Sequence, residues 1–342
     1  MRKMHNHDSL EIPSLISGGL MLTYRCSNAC RHCLYGCSPK QPNDWITRET
    51  AQKVFDALSR ESRLEGIHLA GGEATLRMDI LVDIIRMACD ANIPIDYLET
   101  NAVWCTDPER TAQGLLRLKN AGLRTILVSA SMFHNEFIPF QRTRNCVEIG
   151  RKILGLQNVI VWVPQVYQTL AQMPGAELTH TLEEFFEFAG IEDQPDILPR
   201  LYPVNPGGRV AEALRECFTA RPAKAFQKES CRGELTSTWH FHIDLYGNLF
   251  TGCCAGLAAA RVDNLHPSKN RNEHPLFCLL CEKGPTGLTE WAATNHSYQE
   301  KREGYISKCD LCLDVRKHLQ ATHEYDELQP ACFYQPLDAK CE

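Results

Sequence analysis

Cys26, Cys30 and Cys33 stand at the spacing C-x3-C-x2-C within L-T-Y-R-C-S-N-A-C-R-H-C-L-Y-G-C-S-P, residues 22–39. The triplet follows directly on a short apolar run that reads as a strand. Three thiolates on one tight loop can hold three irons of a [4Fe–4S] cube and leave the fourth iron free for another ligand. A cluster that only carries electrons normally takes four cysteines, so the triplet points to chemistry at the open iron. The alternatives are three buried thiols or part of a zinc site, but zinc knuckles use paired C-x2-C halves, and this triplet does not divide that way.

A second cysteine territory begins after Pro206-Gly207-Gly208-Arg209, with Cys217, Cys231, Cys253, Cys254, Cys278, Cys281, Cys309, Cys312, Cys332 and Cys341. Between Cys231 and Cys253, a Tyr-Gly-Asn turn separates two apolar runs and reads as a β-hairpin. Cys309 and Cys312 form a compact C-x2-C that leads into a polar helix. Cys278-Leu-Leu-Cys281 has ligand spacing too, yet it reads as a buried helix start where cysteine serves as a small hydrophobe. With Cys332 and Cys341 it could complete a further cluster. Cys37, Cys89, Cys105, Cys146 and Cys217 read as inert thiols.

These groups must be positioned by regular elements. The chain has 342 residues, 44% hydrophobic and 23% charged, as a soluble globular protein does, and its length suits two units. A net charge of −6 argues against a nucleic-acid or anionic-membrane binder. No segment resembles a signal peptide, and no apolar run approaches the length of a membrane span. Seventeen cysteines then fit reduced cytoplasmic thiols serving metal sites better than disulfides.

Residues 1–18 are polar and His-rich and read as a flexible tail. Beyond them strand and helix alternate. Strand-like runs are Leu20–Tyr24, Gly66–Ala70, Pro94–Leu98, Arg124–Ala130, Asn158–Pro164 and Asp196–Tyr202. Helical stretches are Thr47–Ser59, one through Ile80 to Ala88, Pro108–Asn120, Asn145–Leu156 and Leu182–Ala189, with Thr47 and Asp107 as N-caps. Six strand–helix alternations with short connections predict an α/β fold, a parallel sheet with helices outside it. Ligands of such sheets lie beyond the carboxyl ends of the strands. Past strand two stand Gly71, Gly72 and Glu73: the glycines admit close backbone approach, and the carboxylate can accept from an ammonium group. Past strand three come Thr100 and Asn101. Past strand four, Ser129 and Ser131 share a face by period-two alternation, and His134 and Glu136 border the chamber as candidates for handling a proton. Arg142 and Arg144 could recognise an anion or form a solvated basic loop.

The cysteine triplet, followed by Gly71-Gly72-Glu73 after the second strand, resembles the signature of the radical S-adenosylmethionine (radical SAM) enzymes. The resemblance implies a partial (β/α)6 TIM-type barrel over residues 19–205, which periodicity alone does not separate from a doubly wound sheet. It also implies that SAM chelates the open iron and that one electron splits it to methionine and a 5′-deoxyadenosyl radical that abstracts a substrate hydrogen. His32 would lie near the adenine, Gly71-Gly72-Glu73 at the SAM amino group, Thr100 and Asn101 at the ribose, and Ser129 or Ser131 at the strand-four contact. Many relatives follow that serine with an aspartate, where this chain has Ala130.

Residues 206–342 resemble the shortened "twitch" form of the SPASM domain, a small Cys-rich α+β domain that holds an auxiliary [4Fe–4S] cluster. The resemblance maps its ligands to Cys231, Cys253, Cys309 and Cys312 and its role to electron transfer. Gly247 lies one residue further from Cys253 than usual, so Cys254 is the alternative, and four thiolates could equally form a zinc site. A reductant such as flavodoxin or ferredoxin is the implied partner. For the substrate, a nucleoside, sugar or cofactor precursor is preferred over a ribosomally made peptide, because only about two dozen residues precede the cysteine loop. A non-catalytic Fe–S or zinc protein acting as redox sensor or scaffold is the rival from another class, and it has no need of a SAM pocket.

Overall fold

The computed structural model describes residues 10–191 and 195–335. Five parallel strands are laid down in sequence: β1 (Ser17–Met21), β2 (Gly66–Ala70), β3 (Ile95–Thr100), β4 (Ile126–Ser129) and β5 (Val159–Trp162). Between and after them come α1 (Arg48–Leu58), α2 (Met78–Asp90), α3 (Pro108–Ala121), α4 (Met132–Asn135), α5 (Phe140–Leu154), α6 (Pro164–Gln172) and α7 (Leu182–Ala189). The helix boundaries follow local chemistry. The Thr47 side chain accepts from the Thr50 N–H to start α1, and Val54, Phe55 and Leu58 turn inward from it. Asp107 caps α3 through the Arg110 N–H, and Gly122, at φ 119°, ends it in the left-handed region.

The expected sixth strand, Asp196–Tyr202, is helical instead: a 3-10 turn at Pro195–Ile197 runs into the short helix Leu198–Leu201. Pro199 has no N–H to give a sheet ladder, and its fixed φ suits the first turn of a helix. The sheet grows at its other edge. Strand β6 (Phe241–Ile243) pairs parallel with β1, and β7 (Asn248–Phe250) and β8 (Ala260–Arg261) continue antiparallel. The order is β5-β4-β3-β2-β1-β6-β7-β8. The territories expected on either side of residue 205 therefore share one sheet. β1 can be flanked this closely because a Cβ on Gly18 would sit 2.4 Å from the Phe241 carbonyl oxygen.

One further expectation is corrected. The first nine residues lie outside the described residues, but Leu10, Ile12, Leu15 and Ile16 are buried, so the tail does not extend to residue 18. The Ser14 hydroxyl and Leu15 N–H both donate to Glu61, which fixes the entry to β1. The cysteine-rich territory also has a substantial core. Helices Pro275–His296 and Lys308–Thr322 bury Leu276, Phe277, Leu288, Leu311, Val315 and Leu319 in the same apolar cluster as the sheet.

The β6–β7 turn forms as the Tyr-Gly-Asn signal predicts, with Gly247 at φ 81°. Buried Asp244 organises it by accepting from the Tyr246 and Asn248 N–H groups and from the Asn248 amide. It also accepts from the Tyr24 hydroxyl at 3.1 Å, which ties the hairpin to the strand that delivers the cysteine loop.

Candidate active site

The loop after β1 turns over the carboxyl ends of the strands. It presents Cys26, Cys30 and Cys33 to a cavity of about 410 Å3. Gly71, Gly72, Glu73, Thr100, Asn101, Ser129, His32 and His134 line the same cavity. Close packing sets its shape: a Cβ on Gly72 would fall 1.9 Å from the Arg25 carbonyl oxygen, so only glycine lets the β2 loop lie against the cysteine loop.

Glu73 is buried and its carboxylate is heavily engaged. One oxygen accepts from the Thr75 N–H and from the hydroxyls of Thr75 and Thr100; the other accepts from the Asn101 N–H at 2.7 Å. The residue thus clamps the end of β2 to the end of β3, and burial pushes its carboxyl above the usual range. Asn101 carries the order onward, because its amide donates to Ser27 at 3.0 Å and reaches Cys26 Sγ at 3.7 Å. Asn28 gives its N–H to Cys26 Sγ at 3.4 Å and its amide to Cys30 Sγ at 3.7 Å.

Arg209 is the residue that sequence reading passed over. It is 1% exposed, and its guanidinium donates to the carbonyls of Cys30 at 2.7 Å and Cys37 at 3.1 Å, while its N–H bonds to the Cys33 carbonyl. Its Nε has no partner, and among the described residues no carboxylate lies within ion-pair distance. A buried cation without a counter-ion is costly; burial pushes the Cys30 thiol up and a hydrogen bond with Cys37 brings Cys33 down to about 6, and the guanidinium's field opposes the first and adds to the second. Three thiolates, amide donors aimed at sulfur and an unpaired buried cation beneath them form a set that fits an anionic iron–sulfur cluster. The available signal was an arginine after Pro-Gly-Gly: a Cβ on Gly208 would meet the Leu34 carbonyl oxygen at 2.3 Å, so this turn packs directly against the cysteine loop.

Residues 20–153 match the family described as "Radical SAM superfamily". That span of the chain carries the radical SAM domain. A domain of that family implies S-adenosylmethionine and a [4Fe–4S] cluster as cofactors. It is similar to the mycofactocin maturase MftC of Mycobacterium ulcerans (strain Agy99), at 25% identity over 240 residues, 69% of this chain and 60% of that protein. The chain thus matches less than two thirds of the length of this curated relative. Among solved structures, it resembles BtrN in complex with AdoMet and 2-DOIA, with TM-score 0.44 and 13% identity over 80% of this chain and 90% of that one. It also resembles anSMEcpe with bound AdoMet and Cp18Cys peptide, with TM-score 0.38 and 12% identity over 89% and 97% of the two chains.

The other sequence-predicted residues fall into two groups. His32 lies in an aromatic box, stacked on Phe133 at 4.5 Å and edge-on to His134 and Tyr202, and burial holds it neutral well below its usual pKa. His134 faces the cavity, its Nδ1 2.7 Å from Ser131 Oγ, with its pKa lowered to about 4 by burial. Ser131 and Glu136 are not in the cavity wall. Ser131 is spent as the N-cap of α4, and Glu136 pairs with Arg31 at 2.9 Å. Arg142 donates to the Val103 carbonyl, and Arg144 lies over the Phe140 ring.

A second cavity of about 350 Å3 shares Leu34 and Asn205 with the first. Cys231, Cys253, Cys254, Cys309 and Cys312 line it. The two adjacent cysteines differ. The Cys254 thiol is raised by burial and by Cys309, Cys312 and Cys231, whereas Cys253 is raised by burial alone. Both line the cavity, and of the two it is Cys254 whose thiol feels the charges of the other three. Cys253 occupies the left-handed region at φ 58°. Buried Arg316, reaching the Ala255 carbonyl and the Tyr334 hydroxyl with its Nε unpartnered, repeats beside these thiols the role of Arg209. Tetrahedral zinc would draw four thiolates to about 3.8 Å from one another. Among the described residues, the only group of three or more such donors within 4.8 Å consists of histidines. Cys278 and Cys281 are buried in their helix, while the charges felt by Cys332 are those of Asp244 and Asp44; Cys341 lies outside the described residues.

Proposed function

We propose that this protein is a radical SAM enzyme in which Cys26, Cys30 and Cys33 hold the catalytic cluster and residues 206–342 hold an auxiliary one. When bound, cluster and SAM supply a 5′-deoxyadenosyl radical that takes a hydrogen atom from the substrate. The reading is carried by one observation: a single cavity gathers the cysteine triplet, Gly71-Gly72-Glu73, Thr100, Asn101, Ser129 and His32. Glu73 and Asn101 orient the strand ends around the SAM methionyl group, His32 offers a face to the adenine, and Arg209 offsets the cluster's charge. His134, held neutral and oriented by Ser131, is the proton-handling candidate.

Cys231, Cys254, Cys309 and Cys312 are the proposed auxiliary ligands. With four thiolates no iron is left open, so the role is electron transfer. The two cavities share a wall, which supports that role. The initiating electron comes from an external donor of the flavodoxin or ferredoxin type. No described helix is long and apolar enough to cross a membrane.

A cavity of about 410 Å3 that must also admit SAM leaves room for a small substrate or one side chain. A small molecule is the first reading. Similarity to a protein named a maturase favours a second, in which one residue of a peptide enters the same space. The test is anaerobically reconstituted protein given SAM and dithionite. It should release 5′-deoxyadenosine, and the Cys30→Ala variant should not. Deuterium transfer into 5′-deoxyadenosine from labelled small molecules or from peptides then separates the two substrates. Release that persists in Cys30→Ala at the parent rate would overturn the assignment.

A further inference from the structure

Against the wall of the same cavity, which His240 lines, three histidines converge from the β2 and β6 sides of β1. His68 on β2 and His242 on β6 both pair in register with Gly19. Their Nε2 atoms are 3.2 Å apart. His240 precedes β6 by one residue, and one ring nitrogen from each of the three lies within 4.8 Å of the others. Gly19 makes the meeting possible: a Cβ there would lie 2.3 Å from His68 Nε2 and 2.9 Å from His242 Cδ2. The ring of His68 is held between Tyr97, stacked at 5.1 Å, and His240, stacked at 5.4 Å.

We propose that His68, His240 and His242 bind a divalent transition-metal ion of the zinc class, with Glu99 at the cavity side as the fourth ligand. Two nitrogens bound tetrahedrally to zinc at 2.0–2.1 Å stand about 3.3 Å apart, which matches the pair on β2 and β6. A single shared proton would also explain one contact between two imidazoles. It does not explain why a third imidazole stands within reach of the same two. Imidazole suits zinc and its neighbours in the first transition row. Glu99 Oε1 is 3.9 Å from His68 Nε2, and both Glu99 and His240 line the SAM cavity. The ion would join β2, β3 and β6 across β1, closing the chamber's floor at the point where the strand order departs from the chain order.

This inference stands apart from the assignment of the cysteines, and its test reads zinc instead of 5′-deoxyadenosine. Full-length protein, reconstituted anaerobically with iron and sulfide, is equilibrated with Zn2+, desalted and analysed for zinc, iron and sulfide together. The parent should retain about one zinc per chain in addition to its iron. Substitution of a ligand costs more than the ten- to hundredfold typical of outer-shell partners, so His68→Gln and His240→Ala should lose this zinc at equal iron and sulfide. His240 is exposed at the cavity edge, so the alanine variant stays informative if His68→Gln fails to fold. Zinc retained equally by parent and His240→Ala, as it would be if cysteines held it, overturns the proposal. So does a parent that retains none.

Discussion

Glu73→Gln is the most discriminating single change at the proposed SAM pocket, because the surroundings of the carboxylate leave the amide no neutral orientation. One carboxylate oxygen faces the Asn101 N–H at 2.7 Å; the other faces the Thr75 N–H at 3.3 Å together with two hydroxyls. Threonine hydroxyls can rotate and become acceptors, but backbone N–H groups cannot. Whichever way the glutamine amide turns, its NH2 confronts a backbone donor. At least one charge-assisted hydrogen bond is lost, about 1.5–3 kcal/mol. That corresponds to a factor of about ten to a hundred in an equilibrium that depends on this geometry. SAM affinity, measured by equilibrium dialysis on the reconstituted protein, should fall by that factor, and the melting temperature should fall with it, because the same bonds clamp β2 to β3. Iron content should hold, since no thiol ligand is touched. A variant with parental SAM affinity and parental melting temperature would refute the reasoning. A fall in melting temperature alone would make Glu73 a clamp with no direct part in binding.

Arg209→Met should leave the Cys30 and Cys37 carbonyls buried without donors, at about 1–3 kcal/mol each, and lower iron retention at the first site in proportion. Full iron loading in that variant counts against the proposed charge pairing. On a Cys26→Ala/Cys30→Ala/Cys33→Ala background, about four irons should remain. Adding Cys254→Ala should remove them while Cys253→Ala should not, and the opposite result would return Cys253 to the ligand set. His134, with a folded-state pKa of about 4 against about 6.5 unfolded, binds fewer protons in the folded protein between those values. Its contribution to stability is therefore present above about pH 6.5 and is lost as the pH falls towards 4. The melting temperature of His134→Asn relative to the parent should rise over that interval. A difference independent of pH would mean that His134 titrates normally.

Much of this site is local in character and therefore legible in the sequence. A C-x3-C-x2-C triplet constrains one loop, a Gly-Gly-Glu constrains one turn, and capping signals at Thr47 and Asp107 set helix starts within a residue. Each depends on chemistry between near neighbours. The strand Gly66–Ala70, the helix Leu182–Ala189 and the hairpin turn at Gly247 were readable for the same reason. Asp196–Tyr202 has apolar residues to suit a strand, but Pro199 favours the helical turn, and the edge of the sheet is filled from elsewhere.

Contacts distant in sequence were decided only by the fold. Arg209 reaches a loop 179 residues away, and nothing in its own neighbourhood announces that its partners are cysteine carbonyls. His-Phe-His at residues 240–242 shows the alternation of a strand face, yet its meaning depends on β6 lying beside β1 with β2 on the other flank. Whether Cys253 or Cys254 joins the proposed auxiliary set depends on where helix Lys308–Thr322 docks, because that helix brings Cys309 and Cys312 to the same cavity. Residue types and short spacings determined which chemistry this chain can support. Which side chains share a site followed from strand order and close packing, since those two together bring residues distant in the chain within reach of one ligand.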